Sequence, residues 1–76
     1  MKELVAFLVR QFVPDENFEI VVIEDEETVD FRVLVDKDFI AKLIGKAGRT
    51  SKAIRTIVRE AAGRSDKSYS VYIEER

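Results

Sequence analysis

The chain has no cysteine and no histidine, one proline and only three glycines among its 76 residues. Without thiols or imidazoles it offers no disulfide, no soft-metal ligand set, no cysteine nucleophile and no histidine acid or base, so most enzyme mechanisms lose their usual participants. No cofactor and no catalysis are expected. Long apolar stretches are missing too: the longest early run, Leu4 to Val9, spans six residues behind Glu3. That is shorter than the core of a secretory signal and far short of a membrane span, which sets a cytoplasmic location with no membrane partner as the expectation. Repeats, low-complexity tracts and linkers are also absent, so residues 1–76 read as a single domain. At this length folding hides only about 60% of the unfolded surface, and the core must be thin.

What the chain does have is segregated charge. Its net charge of −2 conceals a first half, residues 1–36, with three basic and ten acidic groups, followed by residues 37–67 with nine basic and three acidic. Those segments carry −7 and +6, and residues 68–76 add −1. A basic block of this density is an electrostatic footprint for an anion, although lysine- and arginine-rich helix faces also serve solubility.

Hydrophobic periodicity divides the chain into six elements. Residues 2–13 place Leu4, Val5, Leu8, Val9 and Phe12 on one helical face, and the helix ends before Pro14. Phe7 lies off that stripe and is expected to pack at the core's edge. Residues 18–24 and 28–35 are rich in β-branched and aromatic types on either side of Asp25, Glu26 and Glu27, the pattern of a hairpin. Those carboxylates lack the glycine or asparagine spacing of a cation-binding loop and read as a solvated turn. Asp36 is placed to cap a helix bearing Phe39, Ile40, Leu43 and Ile44. A further helix follows from near Arg49 towards Gly63, with Ala53, Ile54, Ile57, Val58, Ala61 and Ala62 on one half and Arg49, Lys52, Arg55 and Arg59 on the other. Residues 68–74 alternate as a last strand. Two helices between the second and third strands are long enough for a crossover, which predicts that those strands are parallel neighbours.

Gly45 and Gly48 interrupt this pattern inside "LIGKAGRTSK". Two glycines in one turn between helices signal a backbone requirement that other residues could not meet. The first N–H groups of the following helix, near Ala47 to Thr50, would lack intrahelical partners and together with the helix dipole suit an anion. Absent Cβ atoms would let a phosphodiester approach, with Lys46 and Arg49 beside it. The spacing matches neither a Walker A loop nor a dinucleotide fingerprint, so nucleotide hydrolysis is unsupported. Flanking apolar residues suit an unpaired polynucleotide, with phosphates at the loop and bases on an apolar shelf.

"LIGKAGRTSKAI" resembles the KH-domain signature, Ile-Gly-x-x-Gly followed by a helix, and the element order matches the prokaryotic type II arrangement. The resemblance covers essentially the whole chain; its length and "KAIRTIVREAA" are similar to the small stand-alone bacterial KhpA-like family. It implies a two-layer α+β fold of order α-β-β-α-α-β, three helices packed on one face of a three-stranded mixed sheet. It further implies a cleft for about four nucleotides of single-stranded RNA. Gly45, Lys46, Ala47 and Gly48 would form the backbone clamp, Arg49 would add charge, and Ile40, Ile44 and Ile54 would line the groove. Lys52, Arg55 and Arg59 divide between a secondary RNA track and a solvated helix face. Tyr69 and Tyr72 could stack bases, but packing within the last strand is the reading adopted. Ser51 stands where many KH domains have isoleucine, implying a shallower groove floor.

The family also implies pairing with a larger multidomain KH-containing RNA-binding protein, and a homodimer. A weak single cleft fits an RNA chaperone-like or post-transcriptional regulatory adaptor. Two alternatives stand beside this: a KH-fold protein-protein interaction module with little RNA binding of its own, using helix 2–13 or the sheet, and a helix-turn-helix DNA binder.

Overall fold

The computed structural model describes all 76 residues. Helix α1 covers Lys2–Arg10, β1 Phe18–Glu24, β2 Thr28–Val35, α2 Lys37–Ile44, α3 Arg49–Ala62 and β3 Ser68–Glu75, with single 3-10 turns at Asp15–Asn17 and Lys46–Gly48. The expected order, α-β-β-α-α-β, is the observed one. Strands lie in the order β1-β2-β3, β1 antiparallel and β3 parallel to β2. This is the α+β architecture of a type II KH domain.

Alternation along β2 supplies four of the eleven core residues. Val29, Phe31, Val33 and Val35 are buried, and all point to the face on which the helices lie. Val5 and Val9 of α1, Leu43 of α2, and Ile54 and Val58 of α3 meet them there, joined by Val13 and Val71. Burying each such side chain contributes roughly 1.5–3 kcal/mol, which a chain this small needs in order to offset its ordering entropy. The other sheet face carries no helix, leaving Val21, Ile23 and Tyr72 partly in water.

Several local expectations need correction. Helix α1 stops at Arg10 rather than Val13, because a residue before proline is disfavoured in the helical region. The chain still turns inward, with the Val13 amide donating to the Val9 carbonyl at 3.0 Å, and Val13 is buried. Phe7 does not pack at the core's edge; it is 55% exposed. Asp36 occupies the cap position of α2 with extended backbone, yet its carboxylate makes no capping bond. It accepts instead from Arg76 Nε at 2.6 Å and Asn17 Nδ2 at 2.8 Å, fastening the chain's last residue to the start of α2 and the α1–β1 connection. The bond to Arg76 is charged on both sides, whereas a cap would set the carboxylate against a neutral backbone N–H.

The hairpin carboxylates have a structural job. Asp25 Oδ1 accepts from the Glu27 and Thr28 amides at 2.8 and 2.7 Å, closing the turn, and these bonds hold its carboxyl below the ordinary aspartate range. Glu24 is paired with Lys67. No cluster of three acidic side chains is arranged to hold a metal ion, and no helix is long and apolar enough to cross a membrane.

Candidate nucleic-acid interface

The turn between α2 and α3 is built almost entirely from left-handed backbone. Gly45 has φ +78°, Ala47 φ +55° and Gly48 φ +75°. A β-carbon on Gly45 would lie 2.8 Å from Thr50 Cβ and 2.9 Å from the Thr50 amide nitrogen, so this glycine is required by the chain's own packing. At Gly48 a β-carbon would meet only Ser51 Oγ at 3.8 Å, an ordinary contact; its requirement comes from φ. Room for a ligand is therefore not the first reason for either glycine.

Nor are all the expected amides bare. The Gly48 amide donates to the Gly45 carbonyl at 3.1 Å and the Arg49 amide to the Lys46 carbonyl, closing a 3-10 turn. Ser51 is the one buried polar side chain; its hydroxyl donates to the Gly48 carbonyl at 3.0 Å and ties the first turn of α3 to the loop. That bond places Ser51 beneath the loop. Lys46 and Ala47 are left as an exposed tip, with Gly45 and Gly48 half-buried behind them.

The candidate residues fall on different flanks. Arg49 and Lys52 are exposed, and Lys52 precedes Arg55 and Arg59 along one side of α3. None of the eight cations Lys37, Lys42, Lys46, Arg49, Lys52, Arg55, Arg59 and Arg64 enters an ion pair. The molecule's salt bridges use only the N-terminus, Arg10, Arg32, Lys67 and Arg76. Ile40 and Ile44 are half-buried on α2, and Ile40 packs against the core. Ile54 is 3% exposed and part of that core.

On the opposite flank α3 leaves an apolar cavity against α1, about 340 Å³, walled chiefly by Leu8, Phe12, Ala53, Ile54 and Ile57, with Arg49 and Thr50 at the loop end. Ile57 is 43% exposed, so the apolar half read from the sequence is wider than the core can cover. The last strand also divides its tyrosines. Tyr69 is half-buried with its ring stacked on Phe31, centroids 6.3 Å apart, whereas Tyr72 is 46% exposed under the Arg32 guanidinium and does not pack inward.

A positive-φ Gly-x-x-Gly turn between two helices, set on a β-β-α-α-β unit with an extra N-terminal helix, is matched by the family profile described as KhpA/KhpB, KH domain, over residues 2–73. The chain belongs to the KhpA/KhpB KH-domain family. Its α2, α3 and connecting turn are thus the helical pair of a KH domain and not a helix-turn-helix. Similar curated proteins include RNA-binding protein KhpA of Chlamydia trachomatis, 37% identical over 76 residues, covering 99% of this chain and 97% of that protein. RNA-binding protein KhpA of Listeria monocytogenes is 37% identical over 78 residues, covering 99% of this chain and all of the relative. The Clostridium perfringens protein of the same name is 36% identical over 74 residues, with 96% and 99% covered. Proteins of this KH family are binding modules rather than enzymes.

Proposed function

We propose that the chain binds single-stranded RNA by gripping its sugar-phosphate backbone at Gly45–Gly48. The observation that carries this reading is that every cation from Lys37 to Arg64 on α2, α3 and their connections, Lys46 and Arg49 at the loop among them, lacks a protein anion. Like charges crowded in this way repel one another until a polyanion arrives, and its condensed counterions are released on binding. Because the Gly48 and Arg49 amides serve the turn itself, Lys46 and Arg49 side chains carry more of the grip than bare amides would. Lys52 extends the track by one helical turn. Ile40 and Ile44 line the groove, and Ile54 supports it from beneath. The name that the relatives share, RNA-binding protein KhpA, supports the same reading.

A single cleft of this size binds weakly, so useful affinity comes from linking two. That fits an RNA chaperone-like or regulatory adaptor acting with a second copy or with a larger KH-containing RNA-binding protein. One observation favours association as a second reading, the apolar flank between α1 and α3, where Ile57 stands 43% exposed.

The test is a double substitution, Lys46→Asp with Ala47→Asp. Both positions are exposed, and aspartate tolerates left-handed backbone better than alanine does, so the fold survives. RNA affinity should fall at least about tenfold through repulsion between carboxylate and phosphate. Undiminished RNA affinity in the folded variant would falsify the clamp.

A further inference from the structure

A second cavity, about 180 Å³, opens between the cationic flank of α3 and the free edge of the sheet, lined by Arg55, Arg59, Tyr69, Ser70, Val71 and Tyr72. No carboxylate lines it, although two arginines do. β3 pairs with β2 on one side only, so alternate peptide groups of β3 face away from the sheet. Val71 is one of them: its carbonyl accepts from Arg55 Nε at 3.1 Å. The N–H of a residue in an extended strand points the same way as its C=O, so the Val71 amide faces that edge as well.

That bond to Val71 fixes the plane of the Arg55 guanidinium and leaves its two terminal nitrogens without a partner in the protein. They form a planar fork that matches two adjacent acceptors. Among bases, guanine presents O6 and N7 side by side; adenine places an amino group beside N7. Uracil separates its carbonyls by an N–H, and cytosine sets an amino group next to its acceptor pair. Arg55, Arg59 and the Val71 amide make a wall of donors, against which an amino group would be repelled. Tyr72 borders the cavity, but its ring lies on the outer face of the sheet under the Arg32 guanidinium, so base choice rests on the donors and not on stacking. Arg55 lies seven residues beyond Gly48 along α3, about 10 Å of rise, within reach of a strand of about four nucleotides held at the loop.

We propose that the cavity between α3 and β3 reads an unpaired guanine through its O6/N7 edge, with Arg55 as the specificity-determining residue. This rests on the RNA-binding reading above and adds base choice to it.

Fluorescence anisotropy with uridine-rich decamers tests it, comparing an all-uridine strand with strands carrying central guanosine, inosine, 7-deazaguanosine, adenosine or cytidine. Guanosine should improve affinity at least about fivefold over uridine, the lower end expected of one bidentate contact. Inosine keeps O6 and N7 and should match guanosine. 7-Deazaguanosine lacks N7 and should lose the gain without any change to the protein. Arg55→Lys retains the charge but not the fork, and should collapse the guanosine-to-uridine affinity ratio towards one. Equal affinity for 7-deazaguanosine and guanosine, a preference for cytidine or adenosine, or an unchanged ratio in Arg55→Lys would each overturn the assignment while RNA binding stands. Failure to bind any strand would overturn RNA recognition itself, and this assignment with it.

Discussion

Gly45 and Ala47, two positions apart in one loop, should answer opposite substitutions in opposite ways. Alanine at 45 would combine φ +78° with a β-carbon 2.9 Å from a backbone nitrogen that cannot swing aside. A loss of about 1–3 kcal/mol follows, measurable by urea denaturation. Glycine at 47 relieves the left-handed alanine at φ +55°, worth about 1–2 kcal/mol, against an added unfolded-state entropy of about 0.5–1 kcal/mol. It should leave stability equal or up to about 1.5 kcal/mol higher, and a marked loss would contradict the left-handed conformation at this position. Asp36 carries a pH signature. The Arg76 guanidinium and then the Asn17 amide hold its carboxyl below the ordinary aspartate range. A depressed folded-state value gives stability that is complete above the ordinary value of about 3.9 and is lost as pH falls through the lowered one. Asp36→Asn should therefore lower Tm near neutrality, with the gap to wild type narrowing towards about pH 2. A gap that held constant over that range would detach Asp36 from the acid response. Both details escape a reading of the sequence, which shows Asp36 at a cap position but not that Arg76, forty residues on, arrives to claim its carboxylate.

Helix α3 has three faces rather than the two its wheel suggests. Ser51, Ile54 and Val58 point into the core, Arg55 and Arg59 line the cavity at β3, and Ala53 and Ile57 turn towards α1. A hundred-degree repeat identifies the apolar half but not how much of it the sheet can cover, which depends on where α1 sits. The same blindness affects Phe7 and Tyr72, whose exposure is decided by how α1 sits against β1 and α3 and by a sheet whose outer face has no cover. Elements and strand pairing were legible for a simpler reason. Period-two and period-3.6 patterns survive without tertiary context, and a two-helix connection is long enough to reach a parallel partner. If the α1–α3 flank is where copies or partners meet, Ile57→Asp should shift any associated species to the monomer in analytical ultracentrifugation and leave Tm nearly unchanged, because Ile57 is 43% exposed. Persistent association in that variant would move the contact elsewhere.

The molecule as a whole divides its charge as its sequence does. The acidic excess lies on α1, β1, β2 and their turns, where it engages Arg10, Lys67 and Arg76, and the basic excess lies on the α2–α3 pair without partners. A net charge of −2 is thus compatible with the proposed polyanion site, since the field near the loop is set by charges within about a Debye length, roughly 8–10 Å at physiological salt. That segregation, together with the Gly-x-x-Gly spacing, was the part of the site legible in sequence; the engaged amides at Gly48 and Arg49 and the cavity at β3 were not, because both depend on how the loop closes. The decisive measurement is an amide-resolved NMR titration with a short single-stranded RNA. Recognition at the loop should move the resonances of residues 45–49 first and most, continuing along the Lys52–Arg55 side of α3. If those resonances stay fixed while changes gather at Leu8, Phe12 and Ile57, or if none move at saturating RNA, the loop is not where the strand is held.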